Sequence, residues 1–175
     1  IIAAQGIWKR LKKNGHIYLG KYAGWYAIRD EAFYDSSELT DGPNGKKIAS
    51  SGAEVEWVEE PSYFFDLSKW QDWLLEFYDE NPNFIAPETR RNEVLSFVKG
   101  GLHDLSISRT SFKWGVPVPD DPEHIMYVWL DALTNYITAL GYPDEKSNDF
   151  LRWWPADLHM VGKDILRFHA VYRPA

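Results

Sequence analysis

Two short stretches of this chain combine residue types suited to holding a ligand. The first is Tyr127-Val-Trp-Leu-Asp-Ala-Leu-Thr-Asn-Tyr136. The second is His159-Met-Val-Gly-Lys-Asp-Ile-Leu-Arg-Phe-His169. Each reads as a buried strand running into a helix. In open α/β sheets ligands bind at such junctions, where the helix offers free N–H groups and the positive end of its dipole. Gly162 lets a ligand approach the backbone closely. Asp164 can accept hydrogen bonds from ribose-like hydroxyls, or it can cap the helix. Lys163 is either a phosphate partner or a solvated charge. Ile165 and His169 are one helical turn apart and share a face. With Trp129 they can wall an apolar pocket with a polar lip, or they can be core residues with His169 hydrogen-bonded and semi-buried. Arg109 closes Ser106-Ile-Ser-Arg ahead of a Pro- and Gly-containing loop. Its planar donor fork suits a phosphate, and equally a neighbouring carboxylate.

The elements that must carry these residues follow from the apolar pattern. Residues 1–14 read as a helix with an Ile7, Trp8 and Leu11 stripe and a Lys9, Arg10, Lys12 and Lys13 face, stopped by Asn14-Gly15. Residues 16–65 read as β-rich: His16-Ile-Tyr-Leu, Lys21-Tyr-Ala-Gly-Trp-Tyr and Glu54-Val-Glu-Trp-Val alternate, and Asp41-Gly-Pro-Asn-Gly45 is a dense turn signal. Helices are expected over 67–80, capped by Asp66 or Ser68, and over 88–99. Beyond Leu105-Ser-Ile-Ser and a Pro-rich loop, Ile125-Met-Tyr-Val-Trp-Leu is a continuous apolar run of the kind buried in a parallel sheet. A helix is expected from Asp131 to about Leu140, then a strand at Leu158-His-Met-Val, then a helix to about Tyr172. That β-α-β-α order is the pattern of an α/β sheet with its site at the strand C-termini.

Composition narrows the chemistry. Of the 175 residues, nine are Trp and 16% are aromatic, which fits a well-filled core or ring-lined pockets. The net charge of −7 makes the chain as a whole a poor electrostatic partner for nucleic acid, so any RNA contact is local or lies elsewhere. With no cysteine there is no disulfide and no thiolate zinc site, which agrees with a cytoplasmic protein. The five His are scattered without metal-ligand spacing. No signal peptide or membrane-spanning run is present, and no membrane partner is expected. The first residue is not Met, and Arg173-Pro-Ala175 follows a helical pattern directly, which reads as part of something longer.

Read in order, these stretches resemble one family. Gly15-His-Ile-Tyr-Leu-Gly-Lys-Tyr-Ala-Gly-Trp-Tyr26 is similar to the entry of the connective insertion of methionyl-tRNA synthetases. Pro61-Ser-Tyr-Phe-Phe, Arg91-Asn-Glu-Val-Leu and Asp104-Leu-Ser-Ile-Ser-Arg109 are similar to its exit. Trp114-Gly-Val-Pro-Val-Pro119, Tyr127-Val-Trp-Leu-Asp-Ala132 and Val161-Gly-Lys-Asp-Ile-Leu-Arg-Phe-His169 follow in the family's order. The resemblance implies a partial doubly wound parallel, Rossmann-like sheet with a small antiparallel β-rich insertion. It divides the chain into 1–15 (end of the first catalytic half), 16–103 (insertion, with a β-rich knuckle at 16–65 and helices at 66–103) and 104–175 (second catalytic half).

The implied activity is methionine–tRNA ligation through a methionyl-adenylate, with methionine, ATP with Mg2+, and tRNA(Met) as partners. Trp129, Ala132, Tyr136, Ile165 and His169 match methionine-pocket positions. Gly162 and Asp164 match the segment facing the ATP ribose. Arg109 matches an Arg linked to the ATP phosphates or to the mobile catalytic loop, and Lys163 is a further candidate catalytic residue. A thioether packs well on such aromatics. Three departures stand out. The zinc-knuckle cysteines of many relatives would fall at Ala27, Asp30, Ile48 and Ser51. A zinc-free knuckle, packed by Trp25, Tyr26, Phe33, Tyr34 and Trp57, is therefore expected. Leu133 replaces a Pro of some relatives, and Arg173 stands where a pocket Trp is usual. The family's His-Ile-Gly-His and Lys-Met-Ser-Lys-Ser elements are not found, so the chain alone is expected to be inactive. The alternative is a stand-alone tRNA- or protein-binding module derived from the insertion.

Overall fold

The computed structural model describes residues 1–27, 29, 32–34, 36–111 and 113–175. The first helix, α1 (Ile2–Lys13), buries Ala3, Ala4 and Trp8 and keeps Arg10, Lys12 and Lys13 in its last turn, where cations complement the helix dipole. It stops where expected: Gly15 adopts φ +82°, a conformation open to glycine.

The strands of residues 17–65 pair antiparallel in one sheet. Its frame is β1 (Ile17–Ala27) against β5 (Glu54–Phe65), paired from Ile17–Phe65 to Tyr26–Glu56. The short strands β2 (Ala32–Tyr34), β3 (Leu39–Asp41) and β4 (Lys47–Ala49) complete the order β2-β1-β5-β4-β3, and β6 (Leu105–Ser106) adds to the far end of β5. Ala27, Ala49, Ala53 and Val55 form a separate small core under Trp25, Tyr34 and Leu39. Asp30 and the Phe33 side chain, both named above, lie outside the described set.

The helical part is as expected, with one refinement. A 3-10 turn over Leu67–Trp70 precedes α2 (Gln71–Glu80), and α3 spans Glu88–Lys99. Neither Asp66 nor Ser68 caps α2; Trp70 holds the N-cap position without a side-chain bond. Asp66 instead meets His16 Nδ1 at 3.2 Å and Lys69 Nζ at 2.8 Å. The main core joins α1 through Trp8, β5 through Phe65, α2 through Leu74 and Tyr78, α3 through Val94 and Val98, and the C-terminal stretch through Val171.

The C-terminal part departs from the expected β-α-β-α order. β7 (Ser108–Arg109), β8 (Pro117–Val118) and β9 (Asp121–Met126) form a second sheet, ordered β7-β9-β8, and both pairings are antiparallel. The link between β8 and β9 is too short for a parallel crossover. Asp120, at φ 67°, turns it. The apolar run at 125–130 is divided: β9 ends at Met126, and α4 (Val128–Thr138) starts two residues later. A continuous apolar run does not by itself separate strand from buried helix, and here the helix takes its second half. A short helix, α5 (Asn148–Trp153), was not anticipated. Leu158–Val161 forms no strand, and Met160 is 90% exposed. The last helix is not a regular α-helix: a 3-10 turn covers Lys163–Ile165 and a π-helical turn covers Phe168–Tyr172. No helix among the described residues is long and apolar enough to cross a membrane.

Candidate functional site

Helix α4 and the 162–172 segment pack against each other through their aromatic side chains. Trp129, in the first turn of α4, stacks on Phe168 with ring centroids 3.6 Å apart and planes 11° from parallel. Two turns along, the Tyr136 hydroxyl meets His169 Nε2 at 2.7 Å. His169 Nδ1 reaches the Ile165 carbonyl oxygen at 2.9 Å, so Nδ1–H donates and Nε2 accepts from the tyrosine. The π-helical turn widens the helix where His169 sits; such turns recur at functional sites. Ala132 falls between Trp129 and Tyr136 on the same flank of α4 and is half-buried.

The other flank of α4 faces a cavity of about 680 Å3 whose walls include Ile7 and Leu11 of α1 and Leu130, Leu133 and Ile137 of α4. Trp129 also lines it, but Ala132, Tyr136, Ile165 and His169 do not. Of the residues named for a methionine pocket only Trp129 reaches the cavity, while Tyr136, His169 and Ile165 are linked to one another by the hydrogen bonds above. His159 and Arg173 both adjoin Tyr136, and Arg173 also lines the cavity. The His159 ring lies 4.8 Å from Tyr136, and burial, then the charge of Arg173, hold its pKa below the ordinary value. The Arg173 guanidinium sits over Tyr136 at 4.8 Å and Trp154 at 4.9 Å. Burial lowers its pKa. A charge that is costly in an apolar wall is thus accommodated on two ring faces.

Gly162, Lys163 and Asp164 are exposed at the start of the 3-10 turn. Open space surrounds the Gly162 Cα on its side-chain side. Asp164 does not cap: the N-cap position is Gly162, and no side-chain bond closes the turn.

Arg109 lies in a different setting. It is 9% exposed and donates to the Ser108 carbonyl oxygen at 2.7 Å and to the Ser106 hydroxyl. Its guanidinium faces the rings of Tyr22 at 5.0 Å and Tyr127 at 4.8 Å, and Glu60 Oε1 is 3.8 Å from its Nε. Tyr127 is the N-cap residue of α4, so Arg109 abuts the start of the helix that carries Trp129, Ala132 and Tyr136. A carboxylate partner and a place beside the site coexist.

Several participants escaped pattern reading. His159 and Phe168 lie inside the second stretch but the pattern assigns them no role of their own, and Glu60 carries no motif; each gains its role through a partner distant in sequence. A Ser–His–Asp array also emerges: Ser108 Oγ to His124 Nδ1 at 3.0 Å, and His124 Nε2 to Asp121 Oδ2 at 3.8 Å. Ser108 is fully buried and its hydroxyl accepts from the Tyr63 N–H at 2.8 Å. No substrate reaches it, so the array braces the junction of the two sheets. Among the described residues no three His, Cys, Asp or Glu side chains converge as metal ligands.

The family model described as tRNA synthetases class I (M) matches residues 2–175. The methionine–tRNA ligase of Rickettsia conorii is 68% identical over 169 residues, which cover 96% of this chain and 32% of that protein. That of Mesorhizobium japonicum is 61% identical over 173 residues, covering 99% and 33%. Among solved structures, Mycobacterium tuberculosis methionyl-tRNA synthetase bound by methionyl-adenylate superposes with a TM-score of 0.86 at 59% identity. The match covers 98% of this chain and 34% of that one. The chain therefore spans about a third of the length of the curated relatives it matches. A match along essentially the whole chain, at this identity and with this backbone likeness, places it in the methionyl-tRNA synthetase family of class I.

Proposed function

We propose that this chain serves as the connective insertion and second nucleotide-binding half of a methionine–tRNA ligase, which activates methionine with ATP and transfers it to tRNA(Met). The supporting observation is the meeting of α4 with the 162–172 segment, above all the Tyr136–His169 bond of 2.7 Å. In this reading residues 1–15 end the first catalytic half, 16–103 form the insertion and 104–175 belong to the second half. Trp129, Ala132, Tyr136, Ile165 and His169 receive the methionine side chain; the stacked and edge-on rings offer a thioether favourable contacts. Gly162 and Asp164 face the ribose. Arg109 and Lys163 face the phosphates.

The chemistry asks the protein for position and charge, not for a nucleophile. A methionine carboxylate oxygen attacks the α-phosphorus and the bond to pyrophosphate breaks. A terminal tRNA ribose hydroxyl then attacks the acyl carbon and AMP leaves. The described residues offer Mg2+ no cage of their own, so the ion enters with ATP as part of the substrate. In this reading the insertion works without zinc, since none of Ala27, Asp30, Ile48 and Ser51 can supply a thiolate; the small core of Ala27, Ala49, Ala53 and Val55 supports it. In this reading the setting is cytoplasmic. A doubly wound parallel sheet would draw further strands from the remaining two thirds of such an enzyme. The exposed 158–161 run and the apolar cavity between α1 and α4 are surfaces for them to cover.

The test is methionine-dependent ATP–pyrophosphate exchange. The chain alone should show none, and robust turnover would refute the division of labour. In the full-length ligase carrying this segment, His169→Ala should raise the KM for methionine about 10-fold or more and leave the KM for ATP in place. An unchanged methionine KM would remove His169 from the pocket.

A further inference from the structure

The β1–β5 ladder sets Tyr22 directly opposite Glu60. From this single rung two side chains reach Arg109. Tyr22 supplies a ring at 5.0 Å from the guanidinium carbon. Glu60 supplies a carboxylate whose Oε1 is 3.8 Å from Nε, while its Oε2 accepts from Thr110 Oγ1 at 3.0 Å. One carboxylate therefore addresses two consecutive residues where the chain leaves β7 for the loop that leads to β8. Glu60 is 6% exposed. A carboxylate at that depth is stabilised by a neighbouring cation, here by charge across 3.8 Å and not by a hydrogen bond, and a buried guanidinium gains from the counter-charge in turn.

We infer that the Tyr22–Glu60 rung is a positioning device for Arg109, through which the insertion sets the direction of that cation in the second catalytic half. The inference rests on the reading of Arg109 as a phosphate-facing group. Glu60 and Tyr22 touch no substrate; they act through Arg109. The carboxylate fixes the guanidinium by charge, and the ring fixes its plane. Tyr127 adds a second ring from the start of α4, so the same seat links the insertion to the helix that carries Trp129. The insertion is thereby a structural component of the phosphate site and not only a spacer between two catalytic halves.

The experiment is steady-state ATP–pyrophosphate exchange in the full-length ligase carrying this segment. Glu60→Gln preserves volume and an acceptor for Thr110 but removes the charge. It should lower kcat by about 10- to 100-fold, raise the KM for ATP and leave the KM for methionine unchanged. Glu60→Asp, which keeps the charge, should recover most of the loss. Tyr22→Leu should show the same ATP-selective defect in weaker form, and it carries the test if Glu60→Gln does not fold. Glu59→Gln is the control: Glu59 is an exposed neighbour paired with Lys21, and its loss should leave the kinetics at parental values. Parallel rises in both KM values, or a folded Glu60→Gln with parental kinetics beside an inactive Arg109→Ala, would overturn the positioning role. Parental kinetics in Arg109→Ala would instead overturn the phosphate-facing reading itself.

Discussion

β1 and β5 hydrogen-bond along their whole shared length, from Ile17–Phe65 to Tyr26–Glu56. The 158–161 run, equally strand-like in sequence, pairs with nothing among the described residues, and Leu158 and Met160 stand 73% and 90% exposed. The difference lies in where each region finds its partners. An antiparallel ladder lets two segments of the same region saturate each other's N–H and C=O groups, with β6 added only at the end of β5. A parallel strand needs a neighbour brought by a crossover connection. The 158–172 stretch is instead anchored at points: Phe168 on Trp129, His169 on Tyr136, and the Ala170 carbonyl oxygen, which accepts from the Tyr78 hydroxyl at 2.5 Å. A ladder distributes its stability, whereas an anchored segment concentrates it in a few side chains.

The largest expected effect comes from Trp8, fully buried and edge-on to Tyr63 at 5.3 Å. Trp8→Ala should cost about 3–5 kcal/mol in urea unfolding. If hydrogen exchange rises in both the β1–β5 hairpin and 168–172, the two regions share one cooperative core. A response confined to the hairpin would separate them. Tyr78→Phe should cost about 1–3 kcal/mol, because a buried carbonyl loses its donor. Here the added exchange should be confined to 168–172, and equal deprotection of the hairpin would break the contrast between ladder and anchors.

The smallest effect belongs to Asp104, which ties β1 to the helical part by accepting from the Ser68 hydroxyl at 2.6 Å, the Tyr18 hydroxyl at 2.6 Å and Ser68 N at 3.0 Å. Burial works against the charge of Asp104, but these hydrogen bonds outweigh it and hold the carboxyl below its ordinary range. Its contribution is therefore present above the ordinary carboxylate pKa and is lost as pH falls through the lowered one. The same bond, with burial, pushes Tyr18 up to about 12, so that contribution is complete below about pH 10 and fades as pH climbs toward the raised value. Asp104→Asn should unfold at lower urea than the parent at pH 7 and converge with it in acid. A gap that persisted in acid would show that the carboxylate is not the source.

Much of the molecule was legible before folding was considered. α1, α3 and the hairpin arms fell where periodicity and turn residues placed them, because each pattern reports a local face toward a core. Trp129 does meet the Gly162–His169 stretch, through Phe168, but without the parallel sheet expected to bring them together. Other features depended on neighbours far along the chain. The run at 125–130 split into strand and helix because the short β8–β9 turn claims Ile125 and Met126, while Leu130, Leu133 and Ile137 form a helical stripe. Arg109 offered two readings in sequence, and the fold gave it a carboxylate, two rings and a place beside α4 at once. Side-chain periodicity encodes which face turns inward. It does not encode which distant strand, ring or charge will be there, and that choice comes from packing the whole chain.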